Sequence, residues 1–256
     1  MISKKTHPPE KGIKDNRDNR QNAGRKLTEG GPRWVVGIGA SAGGLEAVRQ
    51  LLEHIPAETG IAFIVLQHFD PAYETTIPEL LAEVTSMPVK EVTDGTRVKS
   101  NCVYVIPENA IMTIANDVFM TLTRHPIDGL LARRPIDGFL CSLAEDKHNR
   151  AIGVILSGMG SDGVLGLRAI KAKGGITFAQ NENSAKYSGM PRKAITAGYV
   201  DFELTPAQIA DELVRLARHP RVSTVDRIKA GMKQTRSLNR TKSKAQLEQD
   251  LPSTRD

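Results

Sequence analysis

Three residues of this 256-residue chain could together open an ester: Ser41, His68 and Asp162. A serine hydroxyl is a weak nucleophile near neutral pH and needs a base. Imidazole titrates in the right range, and a carboxylate can orient the ring and stabilise its cation. Each of the three directly follows an apolar run of the kind expected for a buried strand: Trp34-Val35-Val36-Gly37-Ile38-Gly39, Ile61-Ala62-Phe63-Ile64-Val65-Leu66 and Ala151-Ile152-Gly153-Val154-Ile155-Leu156. In a parallel sheet, reacting groups gather beyond the carboxyl ends of the strands, so one rule places all three on a common edge.

The stretch Gly39-Ala40-Ser41-Ala42-Gly43-Gly44 is a glycine-rich bend between strand and helix, because Leu45-Glu46-Ala47-Val48-Arg49-Gln50-Leu51-Leu52 recurs at helical spacing. The free amides at a helix start suit a phosphate or a developing oxyanion. Oxyanion donors at Ala42, Gly43 and Gly44 would each contribute roughly 3 to 4 kcal/mol to acyl transfer. Other readings stay open from the residues themselves. Gly37-x-Gly39-x-x-Ala42 satisfies a relaxed dinucleotide fingerprint, although the second strand ends in Gln67-His68 where an acid would hold a ribose. The glycines could instead allow close helix packing, with Ser41 as an N-cap. His68 could be a solvated strand-end histidine, and Asp162 could cap the helix it precedes. Gly158-x-Gly160-x-x-Gly163 could form a second phosphate-type loop. His7, His54, His125, His148 and His219 have no comparable strand-end placement.

The elements that must position these groups alternate. Helices are expected over Glu74–Thr85, Ile136–Lys147, Val164–Lys173, Pro191–Ala197 and Pro206–Arg218. Strands are expected at Val89–Val92, Ile176–Ala179 and Tyr199–Val200. Val103–Ile106, Ile111–Ala115 and Val118–Thr121, separated by turn residues, suit hairpins. Arg124–Pro135 reads as a loop. Together they predict a single-domain, doubly wound α/β fold whose mostly parallel sheet carries an antiparallel hairpin portion.

Charge separates this domain from its flanks. The formal net charge is +6, yet residues 1–33 and 221–256 each hold nine Lys/Arg against four Asp/Glu, which leaves the middle acidic. The first tail is polar enough to be disordered, and both read as solvated basic tails rather than nucleic-acid contacts. The expected domain therefore runs over 34–220. Cys102 and Cys141 show neither ligand spacing nor a disulfide framework, so no metal is expected. The chain shows no signal peptide, bilayer-length apolar run or repeat of 20 to 50 residues, and it is expected to be cytoplasmic without membrane insertion.

The order Ser41, His68, Asp162 differs from that of the α/β-hydrolases, chymotrypsin and subtilisin, and there is no Gly-x-Ser-x-Gly elbow. Several motifs instead resemble the catalytic domain of the chemotaxis protein-glutamate methylesterases, the CheB type. These are Ile38-Gly39-Ala40-Ser41-Ala42-Gly43-Gly44, Leu66-Gln67-His68, Ser157-Gly158-Met159-Gly160-Ser161-Asp162-Gly163, and Ala179-Gln180-Asn181-Glu182 with Gly189-Met190-Pro191-Arg192. The resemblance covers about Trp34 to Pro220. It implies hydrolysis of glutamate methyl esters on chemoreceptor cytoplasmic helices with release of methanol, in sensory signal transduction tied to a phosphorelay, and in some members glutamine deamidation. It also implies Ser41 as nucleophile, His68 as base and Asp162 as the orienting acid. Ala42, Gly43 and Met159 lie in the active-site loops, and no cofactor is needed. Arg133-Arg134-Pro135-x-Asp137 resembles a segment bordering the family's cleft; the plainer reading is a surface loop entering a helix. Family members commonly carry an N-terminal receiver domain, for which the 33 residues before Trp34 are too few, so control by a separate regulatory protein is an open expectation. A nucleotide-binding or non-catalytic docking module of the same fold is the alternative.

Overall fold

In the computed structural model the described residues are 31–67, 77–108, 110–123 and 134–218. His68, Arg133, the first residues of the helix expected from Glu74, the loop 124–133 and both outer tails lie outside them. Seven strands form one sheet in the order β3-β4-β2-β1-β7-β8-β9: β1 (Trp34–Ala40), β2 (Ile61–Gln67), β3 (Val89–Glu91), β4 (Cys102–Val105), β7 (Ala151–Ile155), β8 (Ile176–Gln180) and β9 (Phe202–Leu204). Every pairing in it is parallel. The remaining strands, β5 (Ala110–Ala115) and β6 (Val118–Thr123), make a separate antiparallel hairpin.

The doubly wound fold is as expected, with two refinements. Val103–Ile106 contributes to β4 inside the parallel sheet rather than to a hairpin, because its Val103, Tyr104 and Val105 are buried and pair with β2. The last strand is three residues later than Tyr199–Val200. Tyr199 instead lies in the connection before β9, where its carbonyl accepts from the Thr177 hydroxyl, 2.7 Å away, and Phe202 stacks on Phe178.

Alternation along β1 divides the core. Trp34, Val36, Ile38 and Ala40 face one layer with α1 (Gly44–Glu53), α2 (Ile77–Ala82) and α6 (Pro206–Arg218). Helix α1 contributes Ala47, Val48, Leu51 and Leu52 to it, and α6 contributes Ile209, Ala210, Leu213 and Leu216. The spacing is that of one helical face. The other side of the sheet packs on α3 (Pro135–Lys147), α4 (Val164–Ala172), α5 (Gly189–Thr196) and the hairpin.

Helix α3 lies very close to the strands it crosses. A Cβ on Gly37 would come 2.5 Å from Leu140 Cδ2, one on Gly39 2.5 Å from Ile136 Cγ2, and one on Gly166 of α4 2.4 Å from Leu140 Cβ. At its far end the buried Lys147 ammonium pairs with Asp146 at 2.9 Å and with Asp117 in the hairpin turn. Edge-on contact of Phe119 with Tyr104, 5.0 Å between centroids, continues the hairpin's packing toward the sheet.

Candidate active site

The bend after β1 is made by one glycine. Gly43 adopts φ +65°, the left-handed region, and forms the N-cap of α1 with no side-chain cap bond. Gly37 and Gly39, which the sequence offered as part of a cofactor fingerprint or as packing glycines, lie inside β1 and are covered by α3. They are packing glycines, and the space a pyrophosphate would need beside them holds Leu140 and Ile136. Ser41 is not the N-cap. Its amide donates to the Ser157 carbonyl (3.0 Å) and its carbonyl accepts from Gly44 (2.8 Å), which leaves the half-buried side chain at the strand end. Ala42 is exposed. Among the described residues, the amides of Ala42 and Gly43 donate to no acceptor.

The segment after β7 faces this bend. β1 and β7 are neighbours, with Gly39 opposite Ile155, so Ser41 and the Ser157–Gly163 loop leave the sheet from one edge. Ser157 is fully buried. Its amide donates to Gln180 Oε1 (2.8 Å), its hydroxyl donates to the Ala42 carbonyl (3.0 Å), and the Tyr187 amide donates to that hydroxyl (3.0 Å). Gly158 has no room for a side chain, since a Cβ would stand 2.3 Å from Met190 Sδ and 3.0 Å from Ser41 Cβ. Met159, next along, is 64% exposed. The Gly158-x-Gly160-x-x-Gly163 pattern therefore does not form a phosphate cradle throughout: Met190 fills the first position and Ile155 the last.

Asp162 is buried, and it caps a different helix from the one it precedes. Oδ2 accepts from the Ile136 amide (3.0 Å), and Oδ1 accepts from the amides of Asp137 (2.9 Å) and Gly163 (2.9 Å). Two of these three amides belong to the first turn of α3, where backbone donors lack partners within the helix and the dipole favours an anion.

Asp137 completes a reciprocal clasp between the two elements. Its Oδ1 accepts from the Gly166 amide of α4 (2.8 Å), and its other oxygen pairs with Arg134 Nε (2.8 Å). Arg134 also donates to the Ser161 carbonyl (2.6 Å). Burial pushes the Asp137 carboxyl above the ordinary range, and the Asp162 charge adds to this; the Gly166 amide and Arg134 act in the opposite sense.

The sequence-predicted site thus divides. Ser41, Ala42, Gly43, Met159 and Asp162 sit on adjacent loops at one sheet edge. Gln67, the last residue of β2, is opposite Ala40 in register, while His68 lies outside the described residues. Sequence reasoning did not single out Ser157 or Gln180, which hold the two loops together. Their signal was a polar residue at the end of an otherwise apolar strand.

A parallel α/β sheet that brings a serine turn and a buried, helix-capping aspartate to neighbouring strand ends has the architecture of a CheB-type catalytic domain. Residues 36–213 match the family model described as CheB methylesterase, and the chain belongs to that family. The chain is similar to protein-glutamate methylesterase/protein-glutamine glutaminase 1 of Geobacter sulfurreducens, with 36% identity over 185 residues, 71% of this chain and 51% of the relative. It is also similar to protein-glutamate methylesterase/protein-glutamine glutaminase 2 of Burkholderia lata, with 35% identity over 192 residues, 75% of this chain and 56% of the relative. The crystal structure of the Thermotoga maritima CheB methylesterase catalytic domain superposes with a TM-score of 0.65 at 29% identity, covering 73% of this chain and 99% of that one. The chain spans about half the length of the curated relatives it matches. Among the described residues, no helix is long and apolar enough to cross a membrane.

Proposed function

We propose that this chain is a serine hydrolase that demethylates glutamate γ-methyl esters on chemoreceptor cytoplasmic helices, with residues 34–220 as its catalytic domain. The observation that carries the reading is the pairing of Ser41, on a turn whose Ala42 and Gly43 amides have no acceptor among the described residues, with the buried Asp162 one strand away. Membership of the CheB family adds to it, because the named relatives are methylesterases and glutaminases.

In this mechanism the Ser41 oxygen attacks the ester carbonyl as its proton passes to His68. The new carbon–oxygen bond raises a tetrahedral oxyanion, held by the amides of Ala42 and Gly43 with the Met159 loop alongside. Collapse breaks the bond to methoxide, and His68 returns the proton, so methanol leaves. Water, deprotonated by His68, then attacks the acyl-enzyme and releases the glutamate carboxylate and Ser41. Asp162 holds the imidazole in the tautomer and orientation that both steps require. A glutamine amide would follow the same route with ammonia as leaving group. No metal or organic cofactor enters the scheme. The setting is cytoplasmic sensory adaptation.

Methanol release from a methylated receptor cytoplasmic fragment tests the reading. Wild-type chain should release methanol and Ser41→Ala should not; equal rates from both would remove Ser41 from the chemistry.

A further inference from the structure

The Ser157 hydroxyl is fully buried, and catalysis as described does not use it. Such a group is kept by its hydrogen bonds, and these have a specific direction. A hydroxyl has one proton to donate. The Ala42 carbonyl is 3.0 Å from it and the Tyr187 carbonyl 3.4 Å, so the proton belongs with Ala42, while the Tyr187 amide donates to the same oxygen from the other side at 3.0 Å. The Ser157 backbone cannot drift, because its amide is held by Gln180 Oε1 and its carbonyl by the Ser41 amide.

The carbonyl of Ala42 and the amide of Gly43 belong to one peptide unit. That unit is planar and trans, so its C=O and N–H bonds point to opposite sides. Holding the carbonyl inward on Ser157 therefore turns the Gly43 N–H outward, to the exposed side of the bend. Without this anchor the Ala42-Gly43 peptide is free to rotate, since it precedes a glycine whose own φ is unrestricted by a Cβ.

We propose that Ser157 is a positioning residue of the esterase: its hydroxyl grips the Ala42 carbonyl and so aims the Gly43 amide at the oxyanion. This rests on the reading of Ser41 as nucleophile. An oxyanion donor acts by being fixed before charge develops, so releasing it weakens the transition state more than the bound ester.

The test compares Ser157→Ala and Ser157→Thr with wild type and Ser41→Ala, in the full chain, on a methylated receptor cytoplasmic fragment. Ser157→Ala should lose about 10- to 100-fold in kcat with KM within about twofold, and Ser157→Thr, which keeps the hydroxyl, should recover kcat to within about threefold of wild type. A residue that merely staples the loops would shift the melting temperature without this division between kcat and KM. Wild-type kcat in a folded Ser157→Ala chain, or a loss confined to KM, overturns the proposal while the inactivity of Ser41→Ala preserves the nucleophile. An active Ser41→Ala overturns both. Where the alanine variant does not fold, Ser157→Cys replaces it: a thiol is a poor donor, so kcat should fall by at least about tenfold, and a folded cysteine variant within about twofold of wild type overturns the proposal.

Discussion

The bends after β1 and after β7 look alike in sequence and differ in what they carry. Each follows a buried strand and enters a helix through a glycine in the left-handed region, Gly43 at φ +65° and Gly163 at φ +95°. The first exposes its residues: Ala42 is solvent-facing, and the Ser41 side chain caps nothing. The second is built into the core, with Gly163 against Ile155 and Ile136 and the Asp162 carboxylate tied to the first turn of α3. On the proposed mechanism, the nucleophile sits on the more exposed bend, and the group that would orient the base sits where the core depends on it.

Substituting the two proposed catalytic residues should expose that contrast most strongly. Ser41→Ala should reduce methanol release by about 10⁴-fold or more, while its melting temperature stays within about 2 °C of wild type. Asp162→Ala should lose both properties. Turnover should fall by about 10²- to 10⁴-fold, and urea unfolding should show a loss of about 3 kcal/mol from the stripped amides of Ile136, Asp137 and Gly163. Unchanged stability in Asp162→Ala would erase the distinction between the bends.

The two glycines sharpen it further. Gly163→Ala places a Cβ 2.3 Å from Ile155 Cδ1 at a φ that L residues rarely adopt, and should cost about 2 to 4 kcal/mol. Gly43→Ala meets Lys186 and Tyr187 at 3.0 Å at φ +65°, in the left-handed region, and should cost about 1 to 2 kcal/mol. Urea midpoints rank the pair. The reverse order would mean that the first bend is the more constrained.

The smallest effect is one of pH. Burial raises the Asp137 carboxyl above its ordinary value of 3.8 in the folded chain. The folded state thus binds a proton more tightly, and the stability this contributes is complete below 3.8 and lost as pH rises through the folded value. Asp137→Asn removes that dependence. The stability of wild type relative to this variant should therefore fall as pH rises above 3.8, read from urea midpoints in a pH series; a flat difference would mean that Asp137 titrates normally.

Periodicity made the fold legible. Apolar strands alternating with helical spacing are a signal strong enough to place β1, β2, β7 and α6 within a residue or so, because each is buried by its own pattern. The glycines left both readings open because a glycine in a strand and a glycine in a turn are the same letter. Only the position of Leu140 and Ile136, more than ninety residues away in sequence, makes Gly37 and Gly39 packing sites. Asp162 was legible as a helix cap but not as the cap of α3, since nothing local announces which helix end a side chain will meet. Ser157 was hidden for the same reason: its partners on the Ala42 and Tyr187 backbones come together through the fold alone.

The placement of β1 at the middle of a wholly parallel sheet also bears on how the chain is made. One edge of β1 is closed early, by β2, but Val35 on the other edge must wait for Ala151, and the α3 residues that cover Gly37 and Gly39 come only shortly before. Until the segment from Ile136 to Ala151 has been made, β1 is an unpaired edge with one face uncovered, the condition under which strands add to one another between chains. The segment that later supplies Asp162 is thus also the one that ends this exposure.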